Sequence, residues 1–322
     1  MTAAPAALGT AVAHDIGEQP DVLARVLSHN ARALDVARDC LSRARLVRLV
    51  GIGSSRHAAA IGAVALDLAG TPAMVLAAPG AAVRLPPLRS DDVVVVLSQS
   101  GETPALLAVA EASRAAGCPV IAVTNAPQSP LSAAADVALD CAAGAERVVA
   151  ATKSVTAQVL LLRALAGPVA STDLDALVAA VADVVGADPS RFVHGAPPDH
   201  VVAGGLGAEW VADEVALKFA EMTGRLVSAE PLVEHLHGPA AVPVATLAFV
   251  DPADPNVASL GGAIVRVGPD PAYDVPTPAL TDPAGAAIVA LVAGQCAALG
   301  WARRLGVDAD APRGLAKVTH SR

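Results

Sequence analysis

Short aliphatic runs alternate with longer Ala- and Leu-rich stretches along the chain of 322 residues. This alternation predicts βαβ units around a parallel sheet, because strands that are buried on both faces are continuous apolar runs. Between the strands, Ala105–Ala116 has the spacing of a helix. The predicted strands are Leu46–Val50, Ala73–Ala77, Val93–Leu97, Val120–Val123 and Val137–Leu139 in the first half, and Val201–Ala203, Val244–Val250 and Ala263–Val267 in the second.

These two series of strands predict two α/β lobes. The stretch from Asp173 to Pro198 between them has the pattern of a helix followed by a proline-rich link. We therefore expect an N-terminal segment (1–29), a first lobe (30–170), a linker helix and loop (171–199), and a second lobe with a C-terminal tail (200–322). Lobes of this length are ordinary for α/β domains.

The two lobes also resemble each other in sequence. A shift of 151 residues superimposes Val64–Ala69 on Val215–Ala220 and pairs Val50 with Val201. Two Ala-rich helices can match by chance, but the shared order of strand, glycine-containing turn and helix favours a duplication.

The helix of the second copy carries charged residues that the first copy lacks. Glu214, Lys218 and Glu221 stand at positions i, i+4 and i+7, so they lie on one helical face. Such a row is typical of a solvated ladder of ion pairs, and it also suits a functional face. The helix alone does not distinguish the two interpretations.

Composition and charge exclude several classes of protein. A hydrophobic content of 54% excludes a disordered chain. The net charge is −9 and no basic cluster interleaves with aromatic residues, so nucleic acid is not an expected partner. The first basic residue is Arg25, which leaves no basic n-region of a signal peptide and indicates a cytoplasmic protein. The uncharged stretch Pro283–Ala302 is long enough to span a membrane, but its glycines and proline favour a buried core helix, and we expect no membrane partner.

A polar segment, SQSGET, directly follows the predicted strand Val93–Leu97. Thr103 suits a helix N-cap and Pro104 suits the first helical position. A Ser-rich turn would have this composition too, but a strand before it and a capped helix after it favour an anion site at the carboxyl edge of the sheet. The candidate phosphate ligands are Ser98, Gln99, Ser100 and Thr103.

The segment Gly51–Ser55 repeats this arrangement after the first strand. Arg56 stands where the third glycine of a dinucleotide fingerprint belongs, so no dinucleotide cofactor is expected. A second hydroxyl-bearing loop suits a small phosphorylated ligand instead. The candidate binding residues here are Gly53, Ser54 and Ser55.

At these positions the sequence resembles the sugar isomerase (SIS) domain family. The likeness is greatest to tandem-SIS proteins related to the isomerase half of glucosamine-6-phosphate synthase and to SIS-type glucosamine-6-phosphate deaminases. The resemblance implies a flavodoxin-like fold in each lobe and aldose–ketose chemistry on a hexose 6-phosphate without a cofactor. The matching segments are Glu18–Pro20, Gly51–Ala58, Ser98–Thr103, Val149–Lys153, Glu214–Glu221, Glu234–Pro239 and Gly314–Thr319.

The resemblance also implies roles for single residues. Glu221 would be the base that moves a proton between C1 and C2, and His237 would assist ring opening from the neighbouring subunit of a homodimer with a shared active site. Lys317 would meet the open-chain carbonyl, although a lysine in a C-terminal tail is also typical of a solvated end. Lys218 lies between two glutamates and should stay charged, which leaves Lys317 as the better nucleophile. The remaining implied site residues are Glu214, Val149 and Ala151, the last of which replaces a serine common in the family.

The expected reaction depends on the glutaminase nucleophile of the related synthase, which this sequence does not have at position 2. Position 2 is Thr, not the Cys nucleophile of a glutaminase domain, so we expect no ammonia from glutamine. Conversion of glucosamine 6-phosphate to fructose 6-phosphate and ammonia is then the expected activity. Isomerases of tagatose, fructosamine or Amadori-type 6-phosphates, and a non-catalytic sugar-phosphate sensor, remain alternatives.

The pair His235 and His237 has no third ligand beside it, so no metal site is expected.

Overall fold

A computed structural model of the chain describes residues 8–76, 87–205, 209–312 and 314. Three helices precede the first strand: α1 (Thr10–Gly17), α2 (Gln19–His29) and α3 (Ala31–Ser42). The first lobe continues with β1 (Leu46–Val50), α4 (Ser54–Leu68), β2 (Ala73–Val75), β3 (Asp92–Ser98), α5 (Pro104–Ala115), β4 (Val120–Thr124), α6 (Pro130–Ala134), β5 (Val137–Asp140) and α7 (Lys153–Leu165). The remaining elements are α8 (Ser171–Gly186), β6 (His200–Ala203), α9 (Glu209–Thr223), β7 (Ser228–Pro231), α10 (Leu232–Leu236), β8 (Thr246–Phe249), β9 (Ile264–Gly268), β10 (Val275–Pro276) and α11 (Pro283–Arg304).

Each lobe is built on one five-stranded parallel sheet. The first sheet has the order β2-β1-β3-β4-β5, and the second has the order β10-β9-β8-β6-β7. Counted from its own first strand, each sheet therefore has the order 2-1-3-4-5 of flavodoxin-like folds. The predicted fold class, two flavodoxin-like α/β lobes, is confirmed. In the first lobe the winding changes direction between β1 and β3, which is where such folds bind ligands.

The repeated strand order supports an internal duplication, but the single shift of 151 residues is wrong in detail. That shift pairs Val50, the last residue of β1, with Val201, whereas β6 ends at Ala203. The strands of the two copies therefore correspond in order, while the segments that connect them differ in length and in helix content.

All eight predicted strands are present, with ends that move by up to two residues. Ala77, at the predicted end of β2, lies outside the described residues. Two further strands, β7 and β10, were not predicted because neither contains an aliphatic run. Both lie at the edges of the second sheet and both end in proline, which edge strands tolerate because one side of the strand needs no hydrogen-bond donor.

The helix α11 forms the centre of the core and packs against α9, α8, α7 and α4, so it touches both lobes. By length and composition it could cross a membrane, but 89% of its apolar window is buried inside the protein. The prediction of a buried core helix is therefore confirmed. A Cβ atom on Gly294 would lie 2.2 Å from Val215 Cγ2, so this glycine permits the close approach of α11 and α9.

Hydrogen bonds join the first helix to the segment that follows α11. The backbone N–H groups of Ala11 and Val12, in the first turn of α1, both donate to the carboxylate of Asp310 at 2.9 Å. A carboxylate at a helix N-terminus satisfies donors that have no partner within the helix. The segment after α11 thus completes the first helix of the chain.

Buried ion pairs attach the N-terminal helices to α7. Lys153 begins α7, is almost fully buried, and lies 3.0 Å from Asp15 Oδ1 while also pairing with Glu18. The same ammonium donates to the backbone carbonyl of Ala145 at 2.7 Å. Two of the segments that carry the family resemblance, around Glu18 and Lys153, therefore meet in space and are joined by ion pairs.

Candidate active site

The two polar loops of the first lobe lie side by side. Residues Val50 of β1 and Val96 of β3 are partners in the parallel register, so the loops that follow these strands leave the same edge of the sheet. This edge is the point where the winding reverses. The proximity of Gly51–Ser55 and Ser98–Thr103 is therefore a consequence of the topology.

The SQSGET loop folds around its own hydroxyl groups. Ser98 Oγ accepts a hydrogen bond from the N–H of Gly101 at 3.1 Å, and it lies 3.5 Å from Thr103 Oγ1. Gly101 has φ +64°, and a Cβ atom there would lie 2.0 Å from Ser129 Oγ. Only glycine meets both conditions without strain. The loop is therefore held as a tight turn at the start of α5.

The hydroxyl of Thr103 does not cap α5, although Thr103 occupies the N-cap position with an extended backbone. Its hydroxyl oxygen lies 3.5 Å from Ser98 Oγ instead. Ser100 Oγ accepts the N–H of Glu102 at 3.3 Å. The start of a twelve-residue helix and several hydroxyl groups thus share one small region, which is the arrangement that favours a bound phosphate.

A row of charged residues on α9 reaches the first lobe. Lys218 is fully buried, and its Nζ lies 3.3 Å from Glu214 Oε1 and 2.5 Å from Glu221 Oε2. The same ammonium donates to Ser54 Oγ, at the N-terminus of α4, at 3.0 Å. The solvated-ladder interpretation of this helix is therefore wrong, because Glu214 and Lys218 lie inside the interface of α9 with α4.

His57 completes this cluster from α4. Its Nδ1 lies 2.7 Å from Glu214 Oε2, and both side chains are largely buried. Burial alone would raise the pKa of Glu214, but the Lys218 ammonium and the hydrogen bond with His57 outweigh it and lower the pKa below 4.5. Burial alone would lower the pKa of Lys218, but Glu214 and Glu221 reverse this and raise it above 10.5. The expectation that Lys218 stays charged agrees with this geometry.

Residues 40–167 match the family described as the SIS domain. The chain is a SIS-domain protein. It is 30% identical over 353 residues to a glutamine–fructose-6-phosphate aminotransferase (isomerizing) of Gloeobacter violaceus, in an alignment that covers 94% of this chain and 57% of that protein. The chain spans about half the length of the curated relatives it matches.

Solved structures share this SIS fold over nearly the whole chain. Glucosamine-6-phosphate deaminase from Thermotoga maritima superimposes with a TM-score of 0.79 at 22% identity, covering 96% of this chain and 99% of that one. Tagatose-6-phosphate ketose/aldose isomerase from Escherichia coli superimposes with a TM-score of 0.80 at 21% identity, covering 96% and 98%. At this level of identity the likeness establishes the fold of both lobes.

The other predicted site residues of this SIS-domain protein are more dispersed. Ser55 is buried and its Oγ accepts a hydrogen bond from Gln158 at 3.2 Å, so it faces the core. Gly53 precedes α4 with φ +57° and is exposed. Val149 and Ala151 are half-buried in the connection between β5 and α7.

One of the predicted catalytic residues, His237, lies apart from the cluster. His237 is exposed at the C-terminus of α10, which covers the opposite face of the second sheet from α9. Lys317 lies outside the described residues. Glu221 lines a cavity of about 550 Å³ whose other wall includes Gly306 to Pro312, the segment that leads toward the tail containing Lys317.

The sequence analysis missed His57 and Glu146. Glu146 is buried in the connection before α7, where its carboxylate accepts hydrogen bonds from the N–H groups of Thr152 and Ser154 and from Ser154 Oγ at 2.7 Å. Its charge also contributes to the raised pKa of Lys218. The sequence signal that could have identified Glu146 was its position three residues before the segment Val149–Lys153.

Two groups of side chains in the described part of the chain have spacing suitable for a metal ion: His14 with Asp15 and Glu18, and His200 with Glu230 and His235. Neither group includes a residue of the cluster around Lys218. The second group brings His235 together with two residues that are distant in sequence, and His237 is not part of it.

Proposed function

We propose that this protein is a phosphosugar isomerase that converts glucosamine 6-phosphate and water to fructose 6-phosphate and ammonia. The single observation that carries the proposal is the hydrogen bond between Lys218 and Ser54. It joins the anion-binding edge of the first lobe to the acidic face of α9. A phosphate held at the SQSGET loop and a carbohydrate chain lying toward Glu221 would then occupy one continuous site.

Glu221 is the proposed base. Unlike Glu214, whose side chain is 1% exposed, the Glu221 side chain is 14% exposed and borders a cavity, so a ligand can reach it. In the open-chain amino sugar it would take the proton from C2 and return it to C1, which converts the aldehyde and amine to a ketimine. Water then adds at C2, the C–N bond breaks, and ammonia leaves. Such proton transfer by a positioned carboxylate contributes about 10²–10⁴-fold to a rate.

Lys218 and Glu214 support this step without exchanging protons. The ammonium of Lys218 stays charged and holds the Glu221 carboxylate in position, while Glu214 and His57 fix the ammonium. In the same proposal His237 assists ring opening from a partner subunit of a homodimer, and Lys317 meets the carbonyl at C1.

Two likenesses support an amino sugar as substrate. The fold neighbour from Thermotoga maritima is a glucosamine-6-phosphate deaminase and matches over its full length, and the relatives that align are named as aminotransferases that isomerise. Simple aldose–ketose isomerisation is the second candidate, favoured by the equally close fold of the Escherichia coli tagatose-6-phosphate isomerase.

The test is ammonia release from glucosamine 6-phosphate, measured with the wild type and with Glu221→Gln. We expect the variant to lose roughly 10²–10⁴-fold in kcat, because glutamine keeps the hydrogen bond with Lys218 and removes the base. Glu209→Gln, an exposed position at the start of the same helix, is the matched control and should leave the rate unchanged.

Three outcomes would contradict parts of the proposal. Turnover that survives Glu221→Gln removes this residue as the base. Conversion of a ketose 6-phosphate without ammonia release favours the second candidate. Binding of amino-sugar and ketose 6-phosphates with no turnover by the wild type would indicate a sensor and overturn the enzyme.

A further inference from the structure

Three side chains on the outer face of the second sheet converge on a single carboxylate oxygen. His200 Nε2 lies 2.8 Å from Glu230 Oε1, and His235 Nδ1 lies 2.9 Å from the same atom. The two histidines are buried, with 5% and 4% of their surface exposed, and their rings stack with centroids 5.2 Å apart. The Glu230 side chain is 18% exposed.

The topology of the second lobe brings His200, Glu230 and His235 close together. In the parallel register His200 pairs with Ser228 and Val202 pairs with Glu230, so all four side chains lie on one face of the sheet. The helix α10 follows β7 directly and covers that face, with His235 in its last turn. The helix α9, which carries the candidate catalytic residues, packs against the opposite face.

The hydrogen bonds of Ser228 determine where His200 carries its proton. Ser228 Oγ donates its only proton to the carbonyl of Asp199 at 3.1 Å. It must therefore accept from Nδ1 of His200, which lies 2.6 Å away. A neutral imidazole has one N–H, so the lone pair of Nε2 then faces Glu230 Oε1. Two acceptor atoms 2.8 Å apart repel each other unless a cation lies between them.

That cation is either a second proton on the ring or a metal ion. His235 directs another ring nitrogen at the same oxygen, so the three residues supply two imidazoles and one carboxylate around one point. This donor set, with a fourth position left open, is one that Zn²⁺ takes in proteins. We propose that His200, Glu230 and His235 bind one Zn²⁺ and that Ser228 orients His200 for it.

The distances suit a small rearrangement on binding. A tetrahedral ion at about 2.0–2.2 Å from each ligand atom holds those atoms roughly 3.4 Å apart. The observed separations of 2.8 and 2.9 Å therefore have to open by only about half an ångström. The bond from His200 to Ser228 is the kind of outer contact that fixes the tautomer of a metal-bound histidine.

The other candidate group does not share these properties. Asp15 and Glu18 already contact the ammonium of Lys153, which supplies the positive charge that a metal ion would bring. His14 in that group is exposed. The second lobe alone combines buried imidazoles with a carboxylate and no lysine or arginine paired to it among the described ion pairs.

A bound ion would connect three elements of the second lobe. It would tie β6 to the short edge strand β7 and both to α10, which is only five residues long. The exposed His237 follows two residues after the ligand His235. The ion would thus fix the segment that contains His237 in position against the second sheet.

The test uses the untagged full chain, loaded with Zn²⁺ and dialysed against metal-free buffer. We expect about one Zn²⁺ per chain by elemental analysis, and a visible absorption band of tetrahedral Co²⁺ when cobalt replaces zinc. His235→Gln and Glu230→Gln should lose both signals. Ser228→Ala should keep the stoichiometry and weaken the affinity roughly 10–100-fold, as loss of an outer-shell contact does. His237→Gln is the matched control and should bind like the wild type.

Several results would overturn the site. A wild type that retains no zinc and gives no cobalt band shows that the three residues form a proton-bridged cluster only. Zinc retained equally by wild type, His235→Gln and Glu230→Gln shows binding elsewhere. Circular dichroism of each variant without metal checks that it folds, and Ser228→Ala, which keeps all three ligands, tests the site if a ligand variant does not fold. None of these measurements depends on turnover of a sugar phosphate.

Discussion

Lys218 of the second lobe donates a hydrogen bond to Ser54 of the first lobe at 3.0 Å, across the contact between α9 and α4. The ammonium that makes this bond is fully buried and lies between two carboxylates. The junction of the two lobes is therefore a charged cluster with matched signs, and it can be tested for both stability and function.

Replacing Lys218 by methionine should be strongly destabilising. The side chain volume is kept, but Glu214 is left as a buried charge with reduced compensation. Breaking a buried ion pair in this way costs about 3–5 kcal/mol, measured as the free energy of unfolding in urea. The double variant Glu214→Gln with Lys218→Met removes both charges and should recover part of the loss. Equal stability of the single variant and the wild type would contradict the assigned burial.

Glu214 should make stability depend on pH at the acid end. Burial opposes the ionisation of its carboxyl group, but the Lys218 ammonium and the hydrogen bond with His57 lower the pKa of Glu214 in the folded protein below 4.5. The stabilisation is complete above the unfolded value of about 4.5 and is lost as the pH falls through the folded pKa.

This dependence is measured by urea unfolding at pH values from about 7 to about 3. Other carboxylates titrate in the same range, so the quantity that matters is the difference between wild type and Glu214→Gln. We expect that difference to favour the wild type above pH 4.5 and to shrink below it. A difference that is constant with pH would show that folding does not shift the pKa of Glu214, and a difference that turns against the wild type as the pH rises through 4.5 would show that folding raises that pKa.

Gly101→Ala should disturb the SQSGET loop. The backbone at this position has φ +64°, and the added methyl group would meet Ser129. We expect a loss of about 1–3 kcal/mol in the free energy of unfolding, with a further loss of phosphate-ester affinity because the loop must move. Gly144→Ala is the control: it has φ +68° but no atom within 4 Å of the added Cβ, so it reports the backbone strain without the clash. Similar affinity in the two variants would contradict a role for the tight turn.

Gly294→Ala should destabilise the contact between α11 and α9. Alanine favours a helix over glycine, but here its Cβ would lie 2.2 Å from Val215 Cγ2. Overpacking of this kind costs about 1–3 kcal/mol, measured by thermal or urea unfolding. Adding Val215→Ala should restore much of the loss because it makes room for the methyl group. Gly186→Ala, near the end of α8 with no atom within 4 Å, should be neutral or slightly stabilising.

The sequence predicted the central strands well because they are aliphatic runs buried on both faces. It did not predict β7, since Ser228–Pro231 is polar and owes its extended form to pairing with β6. The same strand carries Glu230, so missing it also concealed the meeting of His200 with His235. Periodicity reports how one element is buried, and it does not report which distant elements become neighbours.

The candidate active site follows the same pattern. Residues Ser98 to Thr103 could be identified because a strand, a turn and a helix are contiguous there. The partnership of Glu214 with His57 could not, because it depends on how closely α9 packs on α4. The roles of Glu221, His237 and Lys317, the domain boundaries, the shared-site homodimer and the cytoplasmic location stay predictions.

The position of α11 has a consequence for biosynthesis. This helix supplies core to both lobes. After it, the carboxylate of Asp310 accepts a hydrogen bond from the N–H of Ala11 in α1, a residue that is made 299 positions earlier. Domains usually fold in the order of synthesis, beginning at the N-terminus. Here neither lobe has its complete core until Pro283–Arg304 has left the ribosome. Both nascent lobes therefore stay incompletely packed until this helix has been made.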